Sequence, residues 1–112
     1  MTDNDVVVFE NIKKLVASGK YRVRIHAVRH MIEEGFNEVN IIEAIIGKSR
    51  IIEDYPDDRR CLILGRFHFT HAIISPLHVV CDYSRTDLVD IITAYIPQKP
   101  WWVSPTKRGK LL

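Results

Sequence analysis

The hydrophobic pattern changes period near Gly47, and that change constrains the fold more than any other feature of the chain. Ahead of Gly47, apolar residues recur at helical spacing: Val8, Ile12, Leu15 and Val16 form one stripe, and Val39, Ile42, Ile45 and Ile46 another. Beyond it come β-branched runs separated by turn residues, the mark of strands. The expected fold is therefore α+β, with two to three N-terminal helices packed on a four-stranded antiparallel sheet.

The element boundaries follow from caps and breakers. A helix is expected over residues 5–18, capped by Asn4 or Asp5 and ended by Gly19. Tyr21 to Ile25 alternates, with Tyr21, Val23 and Ile25 on one face and Arg22, Arg24 and His26 on the other, as in a half-buried strand or extended segment. A short helix from Ala27 to Glu34 closes at Gly35, and Asn37 caps another from Glu38 to Ile46. Strands are expected at 50–55, 60–67, 76–83 and 88–96, with Pro56-Asp57-Asp58 as a turn. The links between these strands are short, which favours antiparallel pairing, because a parallel crossover needs about a dozen residues.

Residues 1–97 read as one domain and residues 98–112 as a basic tail rich in Pro and Trp. Pro97, Pro100 and Pro105 argue against a further strand there, and Trp101-Trp102 either docks the tail on the body or meets a partner. Among its 112 residues, 46% hydrophobic and 27% charged, nothing points to disorder. The apolar runs are too short to span a bilayer, and the acidic Met1–Asp5 stretch is unlike a secretory signal, so a cytoplasmic protein is expected. Two cysteines, Cys61 and Cys81, are too few for a disulfide scaffold and read as buried thiols.

The net charge of +2 hides an uneven distribution. Lys20, Arg22, Arg24 and Arg29 fall in a run without acids that also holds His26 and His30, while Lys99, Lys107, Arg108 and Lys110 make a second such run. Such a split can leave a basic patch for a polyanion, or only solvated surface charges.

The order Ile25-His26-Ala27, Gly35-Phe36, Tyr55-Pro56-Asp57-Asp58, Leu64-Gly65, Pro76-Leu77-His78-Val79-Val80 and Ile92-Thr93-Ala94-Tyr95 resembles the bacterial family called domain of unknown function 4258. The resemblance covers Tyr21 to Pro97. It implies a topology similar to RelE-like and BrnT-like toxin nucleases, with a helix–helix–antiparallel-sheet core shared with barnase-type ribonucleases. In that family an Arg usually stands four residues after the helix-opening His. Here that position is His30, and Arg29 precedes it by one, which rotates the side chain by about 100° on a helix.

Metal-free RNA cleavage needs a base for the 2′-hydroxyl, an acid for the leaving oxygen and positive charge at the phosphorane. His26, Arg29, His78 and Tyr95 are the catalytic candidates, and Arg22, Arg24, His30 and Arg66 the RNA-binding ones. Residue parity puts His78 on one strand face and Tyr95 on a face of the next strand. If those faces coincide, the two converge on one cleft, with His26 at its edge. Against this, His26 also suits a helix start, His78 a satisfied semi-buried position and Tyr95 a sheet aromatic. No carboxylate or thiolate joins His26/His30 or His68/His71 at ligand spacing, and no glycine loop suits a nucleotide, so neither metal nor cofactor is expected. Two functions stay open: a metal-free ribonuclease of the toxin class, partnered by RNA and an antitoxin-like protein, or a non-catalytic module that binds RNA or protein.

Overall fold

The structure, a computed structural model, describes residues 3–98 and 102–109. Helix α1 runs Asp3–Ala17, so Asn4 and Asp5 fall inside its first turn and not at its cap. Strand β1 is Tyr21–Val23. Helix α2 (Ile25–Glu34) ends at Gly35, whose φ of 81° is the left-handed conformation that releases a helix. Helix α3 (Glu38–Ile46) begins in a reciprocal cap, with the Asn37 side chain accepting from the Asn40 N–H and the Asn40 side chain accepting from the Asn37 N–H. Replacing Asn37 by alanine is expected to cost about 1 kcal/mol, read as a lower urea midpoint at unchanged slope.

Strands β2 (Arg50–Tyr55), β3 (Arg60–His68), β4 (Ile74–Asp82) and β5 (Val89–Tyr95) pair antiparallel in sequence order. The expected four-stranded antiparallel sheet is nonetheless a five-stranded mixed one, in the order β1-β5-β4-β3-β2. The fifth strand, β1, lies parallel to β5 with Arg22 opposite Asp90. Short links govern only strands that follow one another. Between β1 and β5 lie two helices and three strands, ample chain for a parallel crossover.

The alternation read over Tyr21–Ile25 stops early. The Arg24 N–H makes a ladder bond to the Ile91 carbonyl, and Ile25 is already helical, with an exposed side chain. In the tail, contrary to expectation, Trp102–Ser104 (β6) and Lys107–Arg108 (β7) form a small hairpin. Pro105 is accommodated because it occupies the turn, where no ladder donor is required. Trp101 and the Trp102 side chain, expected either to dock the tail or to meet a partner, lie outside the described residues.

All three helices lie on one face of the sheet. Phe9, Ile12 and Val16 of α1, Ala27 of α2 and Ile41, Ala44 and Ile45 of α3 meet Ile63, Phe67, Leu77, Val79 and Ile91 in a single core. Cys61 and Cys81, opposite each other on β3 and β4, are buried in it, and burial raises the Cys81 thiol well above its ordinary pKa. At Gly65 the approach is close, the backbone of α3 resting directly on β3 at Ala44. Among the described residues no helix is long and apolar enough to cross a membrane.

Candidate functional site

The other face of the sheet carries the polar groups. Strand register sets His78 opposite Tyr95 on one side and Leu64 on the other, while Glu53 pairs with Leu62. The faces of His78 and Tyr95 do coincide, and their rings meet edge-on with centroids 5.3 Å apart. His78 is 0% exposed. Its Nε2 lies 2.5 Å from the carbonyl oxygen of Pro105, in the turn of the tail hairpin, and its Nδ1 3.4 Å from the Tyr95 hydroxyl. Since a carbonyl only accepts, Nε2 carries the proton, and Nδ1 is left to accept from Tyr95. Burial lowers the His78 pKa, outweighing the opposing pull of the Pro105 carbonyl and of Glu53, and Arg108 lowers it further.

The hairpin is held over this face by a second contact. Arg108 grips Glu53 through two charge-assisted bonds, Nη2–Oε1 at 2.6 Å and Nε–Oε2 at 2.8 Å, and the Tyr55 hydroxyl donates to the same carboxylate. The Arg108 bonds are the main reason that the Glu53 carboxyl sits below its usual range, against the effect of its burial. Glu53 in turn raises the guanidinium pKa of Arg108.

Beside this cluster a cleft of about 490 Å³ is lined by His30, Glu33, Glu34, Tyr95, Gln98 and Arg108, among others. His30 stands on α2 with its ring centroid 6.0 Å from that of Tyr95. Its Nδ1 is 2.7 Å from Glu34 Oε2, one helical turn on. Glu34 is itself fixed, because Oε1 accepts the Ile96 N–H at 2.8 Å. A carboxylate tied to the backbone thus orients an imidazole at the mouth of a cleft, an arrangement suited to proton transfer.

The remaining sequence candidates are dispersed. His26, one turn before His30 on the same side of α2, is exposed, and so is Arg29. Arg22 forms a bidentate pair with Asp90 at 2.9 and 3.0 Å, and Arg24 lies 3.7 Å from the same carboxylate. The basic run at 20–30, free of acids in sequence, is therefore partly neutralised by an acid from β5. Arg66 is exposed near the end of β3, in a separate groove with Lys13, Lys48 and Arg50. His68 pairs with Glu43 at 2.6 Å. Among the described residues, no three His, Cys, Asp or Glu side chains are grouped closely enough to hold a metal ion.

Glu34, Glu53 and Arg108 are the participants that sequence reasoning missed. The spacing of His30 and Glu34, four apart on a helix, was a readable signal. Glu53 and Arg108, 55 positions apart, carried none.

The family model described as Domain of unknown function (DUF4258) matches residues 24–96. No curated protein and no solved structure matches the chain.

Proposed function

We propose that this chain, which belongs to the DUF4258 family, is a metal-free ribonuclease of the toxin class, built on the plan of the RelE-like nucleases. The observation that carries this reading is the His30 imidazole, held by a backbone-anchored Glu34 against Tyr95 at the mouth of a cleft. His26 and Arg29 share with His30 an arc of about 100° on α2, so a phosphodiester lying along that flank meets two imidazoles and a guanidinium.

In this reaction one imidazole takes the proton of the ribose 2′-hydroxyl as that oxygen bonds to phosphorus. The other returns a proton to the departing 5′-oxygen as its bond to phosphorus breaks. The products are a 2′,3′-cyclic phosphate and a 5′-hydroxyl. Arg29, which has no carboxylate partner among the described residues, offsets the charge that builds on the phosphorane oxygens. Tyr95, whose ring meets that of His78 on one side and that of His30 on the other, positions His30.

The test is incubation of purified protein with labelled RNA in the presence of chelator. Wild type is expected to release fragments ending in a cyclic phosphate, and His26→Ala or His30→Ala to slow release by about a hundredfold or more, with unchanged thermal midpoints. A folded wild type that leaves RNA intact, or a double variant that cleaves at the wild-type rate, would overturn the assignment.

RNA binding without cleavage is the second reading. It is favoured by the complete burial of His78 beneath Pro105, which keeps that imidazole from any substrate while the hairpin is in place.

A further inference from the structure

Away from the His30 cleft, an open groove of about 580 Å³ runs where α3 ends and the edge strand β2 begins. Four cationic side chains from four parts of the chain line it: Lys13 from α1, Lys48 from the α3–β2 link, Arg50 from β2 and Arg66 from β3. No carboxylate lines it among the described residues.

Elsewhere several arginines are neutralised, Arg29 being an exception among the described residues. Arg22, Arg60, Arg85 and Arg108 each pair with a carboxylate at 3.2 Å or less. Around the groove the pattern differs. The side chains of Lys48, Arg50 and Arg66 have no ion pair or hydrogen bond among the described residues, and Lys13 meets no carboxylate, its ammonium bonding the Gly47 carbonyl oxygen at 3.1 Å and lying 5.1 Å from the centre of the Phe9 ring. Four like charges gathered around one concavity repel each other, and an anionic ligand relieves that repulsion.

We infer that this groove is a binding site for the phosphodiester backbone of an RNA strand. Its size exceeds what one phosphate ion fills, and its four cations come from four separate parts of the chain, so more than one phosphate can be met. A flat membrane surface does not enter a concavity. An acidic peptide would need pockets for its side chains, whereas Leu64 is the one apolar side chain lining the groove among the described residues. Arg50 and Arg66 add planar guanidinium forks, which match phosphate oxygens bidentately.

The register also gives the strand a destination. Leu64 lies opposite His78, and Arg66 is two residues further along β3, so Arg66 projects on the sheet face that carries His78 and Tyr95. A strand leaving the groove past Arg66 runs onto that face. The choice of RNA rests on the ribonuclease reading, but occupancy of the groove does not require cleavage.

The experiment titrates protein into a fluorescein-labelled RNA with 2′-O-methyl riboses, which lacks the attacking hydroxyl and cannot be cut, and follows anisotropy over a range of sodium chloride. Wild type is expected to bind with a steep salt dependence. A Lys48→Gln/Arg50→Gln/Arg66→Gln variant is expected to bind at least about tenfold more weakly at low salt. Its log–log salt slope should be shallower by about 2, since each phosphate contact to a single strand contributes ~0.7. The three side chains are largely exposed and unpartnered, so the variant's thermal midpoint should match wild type.

If the variant binds like wild type, or wild type binds no RNA at low salt, the inference fails. The same holds if anionic phosphatidylserine vesicles are bound and RNA is not. Binding that the variant loses, by a wild type that cuts no RNA, would sustain the groove and remove only the nuclease.

Discussion

Gly65→Ala is expected to destabilise the protein by about 3 kcal/mol, seen as a large drop in the urea midpoint or as failure to fold. A Cβ on residue 65 would meet the backbone of Ala44, 2.6 Å from its carbonyl carbon and 2.9 Å from its Cα, with the carbonyl oxygen nearer still. No rotamer relieves this, because every obstructing atom is main chain. Relief requires α3 to lift from β3, and that separates Ile41, Ala44 and Ile45 from Ile63 and Leu77 in the core. Gly19→Ala is the control. A Cβ there meets nothing within 4 Å, and only its φ of 76° opposes the change, a cost of about 1 kcal/mol. Equal midpoints for the two variants would mean that α3 does not rest on β3 at this point.

The second large effect is expected at His78. His78→Ala removes a fully buried ring, leaves a cavity and strips the Pro105 carbonyl of its donor, at a combined cost of about 3 kcal/mol near pH 8. The substitution should also change how stability responds to acid. Burial holds the folded-state pKa of His78 below the ordinary 6.5. Between those two values the unfolded chain binds a proton that the folded chain refuses, so unfolding gains as pH falls. The contribution is complete above pH 6.5 and is lost progressively as pH drops through the folded-state pKa. Each tenfold difference in proton affinity is worth ~1.4 kcal/mol.

Wild type should therefore lose stability from near pH 6.5 downwards. A second loss follows at lower pH, as Glu43, Glu53 and Asp82, all held below their ordinary values, become protonated. His78→Gln retains a donor for Pro105 without titrating, and its stability should be flatter in the first window and little changed in the second, where His78 is only the smallest of the influences on Glu53. Urea midpoints measured from pH 8 to pH 4 test this. Parallel curves for wild type and His78→Gln would mean that His78 is not held neutral by the fold.

What the chain reveals in one dimension concerns neighbours along it. The α+β class, the Asn37 cap, the Gly35 stop and the bounds of β2 follow from the period of apolar residues and the conformational limits of single residues. The shared face of His78 and Tyr95 follows from alternation along two strands that turned out to be adjacent. Even the bond between His30 and Glu34 is a matter of helical spacing.

Only the tertiary structure decided which distant groups meet. It laid β1 parallel beside β5, which placed Asp90 against Arg22 and Arg24 and partly neutralised a run that is wholly basic in sequence. The hairpin carried Pro105 onto His78 and Arg108 onto Glu53, leaving a catalytic candidate of the sequence as a buried, bonded histidine. Four cations scattered from residue 13 to residue 66 were gathered around one groove. The physical reason is common to all three. Periodicity and capping depend on residues within a turn or two, whereas charge pairing and burial depend on how whole elements pack, and no local pattern encodes that.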